Sequence, residues 1–139
     1  MNARHLRIAV GATAALGLGI AAYLTYARYA HATIACATGG CETVQGSRYA
    51  ELAGIPVAVL GLTTYTFVLG TAFFEGPLAR AAGAATALAG ALFGVYLLVM
   101  QLVVIDALCQ WCLASDVVLD ALAVACLLRL RTHVLAENP

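Results

Sequence analysis

Four apolar stretches, at about residues 8–29, 57–74, 80–105 and 109–128, are separated by short polar breaks. Each comes near the roughly 20 residues with which a helix crosses a hydrocarbon core about 30 Å thick. Such a chain has few folds open to it, because backbone groups in lipid must find their partners internally and a helix does this within one segment. Composition agrees: the 139 residues are 63% hydrophobic and 10% charged, with a mean hydropathy of +0.94, far from soluble-domain usage. The net charge is zero and no basic, aromatic-rich face is present, which argues against nucleic acid as a partner. The expected fold class is an all-α integral membrane protein, residues 1–139 forming one domain, a four-transmembrane-helix bundle. A cleavable signal peptide is the rival reading of the first stretch, with Ala30-His31-Ala32 as a small-x-small site. Its apolar region would be only about 7–15 residues, so a retained helix is favoured.

The breaks carry the polar chemistry. Residues 30–55 are the one sizeable polar stretch. Within it Ser47 is placed to N-cap a short helix ending at Gly54, with Tyr49 and Leu52 on its apolar side. This predicts a surface helix between the first two spans. Pro56 suits the first turn of the second span, Glu75-Gly76-Pro77 a tight turn, and Asp106-Ala107-Leu108 the break before the fourth span. The last six residues read as frayed.

Four spans place both termini on one side of the membrane. Arg4, Arg7, Arg80, Arg129 and Arg131 fall on that side, and only Arg28 and Arg48 fall opposite. The positive-inside rule makes the termini cytoplasmic. Residues 30–55 and 106–109 then share the extracytoplasmic face of a multi-pass protein of the cell (inner) membrane. Cys36, Cys41, Cys109 and Cys112 all lie there, in a compartment where disulfides persist.

Cys109-Gln-Trp-Cys112 is a dithiol spacing at the start of a helix, where unpaired N–H groups and the dipole favour a thiolate. Cys36 and Cys41 bracket Ala-Thr-Gly-Gly, a turn flexible enough for the two sulfurs to meet. Three readings of the two pairs stand side by side: structural cross-links, a four-thiolate zinc site, and a redox relay. Zinc with four thiolates would carry a charge of −2, with no basic residue inside either pair to offset it. In the relay, the loop pair exchanges with a soluble dithiol protein and then with the helix-anchored pair, and a lipid-soluble quinone takes the electrons. Cys126 lies roughly 20 Å further along the fourth helix and reads as a small buried apolar residue. Cys109, Cys112, Asp116 and Asp120 fall within about 80° of one another on a helical wheel. A carboxyl near mid-bilayer costs about 2.5–3.5 kcal/mol, so Asp116 either serves proton delivery to a quinone or bonds across helices to Thr63, Thr64 or Tyr65. For the deeper Asp120 the interhelical bond is favoured. Tyr65, Tyr96 and Gln101 are further polar groups available to line a cavity.

Cys36-Ala-Thr-Gly-Gly-Cys41-Glu-Thr-Val-Gln-Gly-Ser47, followed by Gly54-Ile55-Pro56-Val57-Ala58-Val59-Leu60-Gly61 and a late CxxC, resembles the vitamin K epoxide reductase family from about residue 8 to 130. It is most similar to bacterial homologues that oxidise thioredoxin-fold proteins. The resemblance implies four helices around a quinone, either menaquinone or ubiquinone, under a capping loop. Cys36 would exchange with the partner, Cys41 with Cys109, and Cys112 would face the quinone, with Ser47 close by. Departures mark this chain: the loop cysteines are closer together than in several relatives, and Asp116 stands where animal enzymes have tyrosine. Val57 stands where they have asparagine, which argues against epoxide reduction. With no fused thioredoxin-like domain before Pro139, the expected partner is a separate DsbA-like protein. A thiol-driven quinone or epoxide reductase running the other way, a DsbB-like enzyme and a non-enzymatic scaffold are the alternatives; the DsbB-like order usually puts the CxxC in the first external loop rather than the second.

Overall fold

A computed structural model describes residues 2–138. Helix α1 spans Ala3–Ala30, opened by Asn2, whose side chain accepts from the Arg4 backbone N–H, and closed by a left-handed His31. The cap that follows holds a five-residue helix, α2 (Cys41–Gln45), a 3₁₀ turn at Arg48–Ala50, and two-residue strands β1 (Glu51–Leu52) and β2 (Ile55–Pro56). Helix α3 is Val57–Thr71 and α4 is Pro77–Val99, which runs on as a π-helix over Met100–Ile105; α5 is Gln110–Glu137.

Three of these segments, Ala3–Ala30, Pro77–Ile105 and Gln110–Glu137, are long and apolar enough to cross a membrane, and Val57–Thr71 is a shorter apolar helix. At 1.5 Å per residue α3 measures about 22 Å, short of a full hydrocarbon core. It stops before the expected Phe74 because the chain must turn into Glu75-Gly76. The Arg129 guanidinium caps that end, donating to the carbonyls of Thr71 at 3.2 Å and Phe74 at 2.8 Å. Helix α5 is longer than expected: the terminal residues to Glu137 are helical, with a His133–Glu137 pair one turn apart.

The expected surface helix from Ser47 to Gly54 is not formed. Ala53 and Gly54 both take positive φ, 54° and 82°, and two successive left-handed residues turn a tight hairpin rather than end a helix. Leu52 accordingly pairs with Ile55 and Glu51 with Pro56. Ser47 precedes the 3₁₀ turn, but its hydroxyl donates back to the Val44 carbonyl at 2.7 Å.

The bundle is packed on small residues. Helix α1 buries Leu6, Val10, Ala14, Gly17, Ala21, Leu24 and Ala27, a single stripe facing α3 and α5. On α4 the buried set is Gly83, Ala84, Ala87, Ala91 and Gly94. Small faces let helices approach closely where lipid supplies no hydrophobic drive between them. At Gly17 the approach is complete: an added Cβ would lie 2.1 Å from the Tyr65 ring, which is fully buried. Phe67, Leu92, Val117 and Val124 point outward and are exposed, as expected of a bundle whose surroundings are apolar. Cys126 is buried among the core apolar residues.

Candidate functional site

The two cysteine pairs meet at one end of the bundle. Cys36 and Cys41 are joined as a disulfide, their Cα atoms 6.1 Å apart, and the turn between them uses a left-handed Gly39 (φ 76°). Gly40 lies so close to the Asp106–Cys109 turn that a Cβ there would sit 2.4 Å from the Leu108 carbonyl oxygen. The Thr38 hydroxyl donates to that same oxygen at 2.8 Å. The two middle residues of the CxxC, which the spacing argument treated only as separators, hold the other pair in place. Gln110 accepts from the Ala37 N–H at 2.9 Å and reaches the Ala35 carbonyl at 3.4 Å; the Trp111 indole N–H donates to that carbonyl at 2.5 Å. On the far side, the Ala35 N–H donates to the Tyr23 hydroxyl at 3.0 Å, and the Tyr23 and Trp111 rings lie 5.0 Å apart.

Cys109 N-caps α5. Its sulfur accepts from the Cys112 backbone N–H at 3.2 Å, and its own N–H donates to the Gln101 side-chain oxygen at 3.0 Å. Gln101 is buried inside the π-helix, and its backbone carbonyl takes the Ala107 N–H at 3.2 Å. A wide π turn thus closes the break between α4 and α5, and such turns gather at functional sites. Hydrogen bonding from Cys112, first through its thiol and then through its backbone N–H, holds the Cys109 thiol below its ordinary value, at about 7, against the opposing effect of burial. Cys41 and Cys109 are both fully buried, in one apolar cluster against which Cys36, Trp111 and Cys112 also pack. Cys109, Cys112 and Cys126 carry free thiols. Exchange between the pairs would therefore occur out of contact with water.

Cys112 is less buried and opens onto a cavity of about 120 Å³. The cap forms its roof, and its walls come from α1, α3, α4, the π segment and α5. Ser47, Val57, Tyr65, Cys112 and Asp116, gathered from three distant parts of the sequence, all line it, and Gln101 does too. Tyr96 does not: its side chain is exposed and lies 5.8 Å from Phe93 on the outer face. The interhelical bonds anticipated for Asp116 are not made. Thr63 and Thr64 donate to carbonyls of their own helix at 3.0 and 2.9 Å, and Tyr65 donates to the Ser115 carbonyl at 2.8 Å. Asp116 presses against Gly94, and its Oδ2 is buried with no hydrogen-bond partner. Asp120 is exposed on the outside of the bundle. One site residue went unforeseen: the Gln45 side-chain amide donates to the Cys112 sulfur at 3.0 Å. A lone glutamine in a polar loop has no pattern that would single it out.

The arrangement suits a flat apolar molecule with polar edge atoms, held between apolar walls beside one sulfur and one unpartnered carboxyl oxygen. With Cys36 and Cys41 bonded to each other, these two sulfurs are committed to a disulfide rather than to a metal. Against known proteins, the family model described as the vitamin K epoxide reductase family matches residues 8–127, a span that holds all five cysteines and the cavity. Members of that family are quinone-linked thiol oxidoreductases of membranes. The match covers most of the chain, and the paired cysteines and apolar helices agree with it, so this multi-pass membrane oxidoreductase belongs to the vitamin K epoxide reductase family.

Proposed function

We propose that this chain relays electrons from a separate, reduced thioredoxin-fold protein through Cys36/Cys41 and then Cys109/Cys112 to a membrane quinone, supporting disulfide formation. The observation that carries the reading is the joint burial of Cys41 and Cys109 in one cluster, with Cys112 alone of the four opening onto the apolar cavity. A partner thiolate attacks the Cys36 sulfur and displaces Cys41. The partner's second thiol then resolves the mixed disulfide, leaving Cys36 and Cys41 reduced. Cys41 in turn attacks a Cys109–Cys112 disulfide at Cys109, and Cys36 closes the loop disulfide again, leaving two thiols at Cys109 and Cys112. The state described here, loop oxidised and CxxC reduced, is the one from which electrons leave. Each step is thiolate attack on a disulfide, and the near-neutral Cys109 thiol suits it.

The quinone supplies a two-electron, two-proton acceptor. The chain's part is to hold it between the walls at Val57 and Tyr65, to present the Cys112 sulfur, and to offer a proton or hydrogen bond from Asp116 Oδ2. We further place all four helices across the cell membrane, with both termini cytoplasmic and the cap extracytoplasmic. Arg7, Arg80 and Arg129 at one end of the bundle support that orientation.

The test is quinone absorbance with purified protein in detergent and a reduced thioredoxin-fold substrate. Wild type should consume oxidised quinone and Cys112→Ala should not, while Cys41→Ala should accumulate a mixed disulfide with the substrate. Normal turnover by both Cys41→Ala and Cys109→Ala would rule the relay out.

A further inference from the structure

We propose that Gln45 is a further catalytic residue: its side-chain amide hydrogen-bonds the Cys112 sulfur and stabilises the thiolate form that faces the cavity. The proposal rests on the reading of Cys112 as the thiol nearest the acceptor. A thiolate in an apolar cavity needs donors, and most of the polar groups around it are engaged elsewhere. Ser47, Thr64 and Tyr65 line the same cavity, but each donates its hydroxyl to a backbone carbonyl. The backbone N–H of Cys112 is taken by the Cys109 sulfur. Asp116 adds a carboxyl one turn below, which opposes negative charge on the sulfur. The Gln45 Nε2, 3.0 Å from Cys112 Sγ, is the donor aimed at it.

The cap is built to keep that amide in place. Gln45 is the last residue of α2, and Cys41, the first, is tied into the loop disulfide. At its other end the Gln45 carbonyl accepts from the Arg28 guanidinium of α1 at 2.7 Å, and Arg28 is itself paired with Glu51 of β1. The short helix is thus fastened at both ends, with its final side chain turned to the second dithiol. A glutamine that merely filled the roof of the cavity would need neither anchor.

The contact is tested on the full chain carrying Cys109→Ser and Cys126→Ala, which leaves Cys112 as the sole thiol beside the loop disulfide. Its alkylation by iodoacetamide is followed by mass spectrometry across neutral to alkaline pH. Gln45→Met, similar in length but without a donor, should slow alkylation at neutral pH about tenfold, the size of one hydrogen bond to a charged group, and move the profile to higher pH. Arg28→Ala, which frees the helix without touching the amide, should shift it the same way by less. In the otherwise unsubstituted chain Gln45→Met should also slow reduction of a short-chain ubiquinone. Superimposable profiles for parent and Gln45→Met overturn the proposal, as does a shifted profile with unchanged quinone reduction. Should Gln45→Met fail to fold, an unshifted profile in Arg28→Ala overturns it. The underlying reading fails separately, if Cys112→Ala still reduces the quinone.

Discussion

At one end of the bundle arginines close the structure; at the other, neutral amides and one indole do. Around Glu75 the guanidinium groups of Arg7 and Arg80 pair with a single carboxylate, and Arg129, 3% exposed, satisfies the carbonyls that α3 leaves open. At the redox end Gln45, Gln101, Gln110 and Trp111 make the joining bonds, mostly to backbone atoms beside the cysteines. A fixed positive charge next to the dithiols would hold thiolates in place whatever their partner. Neutral donors support a sulfur without trapping it, and a relay has to let each sulfur go.

Substitutions at the two ends should therefore fail differently. The largest effect is expected from Arg129→Leu, which leaves two buried carbonyls unpaired and should lower unfolding stability by about 3 kcal/mol. Thermal denaturation in detergent would measure this, with reactivity of the Cys36–Cys41 disulfide unchanged in the protein that remains folded. Next comes Gly40→Ala, where a Cβ would meet the Leu108 backbone. Overpacking of this kind costs about 1–3 kcal/mol, and here it should appear as slower exchange between the pairs, with helix content retained by circular dichroism. Gln110→Ala removes both amide bonds to the loop and should slow the same exchange about tenfold, measured by quenched-flow alkylation. A pH effect of similar size is expected at Cys109, whose thiol sits at about 7. It is mostly thiolate above that pH and thiol below it, so its alkylation rate should level off above neutrality. Cys112→Ala removes the principal hydrogen bond to it, and should push the midpoint up and slow alkylation at neutral pH. The smallest effect belongs to Arg7→Ala. Arg7 holds the exposed Glu75 carboxyl below its ordinary range, but such surface pairs contribute less than about 1 kcal/mol.

The same contrast bears on what the sequence made legible. The apolar runs, the break at Asp106 and the grouping of four cysteines at one end follow from length and spacing, which are local. Ser47, Val57, Tyr65, Cys112 and Asp116 were each named from their own neighbourhood, and the fold brings them to one cavity wall. What local pattern missed depends on contacts made across the fold. Ser47 and Gly54 have the composition of helix caps, yet the Ala53-Gly54 corner turns a hairpin that covers the cavity. Helix α3 stops early because an arginine 55 or more residues away caps it. Gln45 and Gln110 act through partners 67 to 75 positions distant, beyond the reach of any periodicity.

The π-helix at Met100–Ile105 makes the site sensitive to the count of residues rather than to their kind. A wide turn holds one residue more than an α turn would. Deleting a single residue between Val99 and Asp106 would let the segment relax to an ordinary helix and rotate everything beyond it by about 100°. Cys109 would then swing off the loop cysteines although every side chain at the site was still present. Chains that keep both cysteine pairs but differ in length by one residue here would have their two dithiols out of phase.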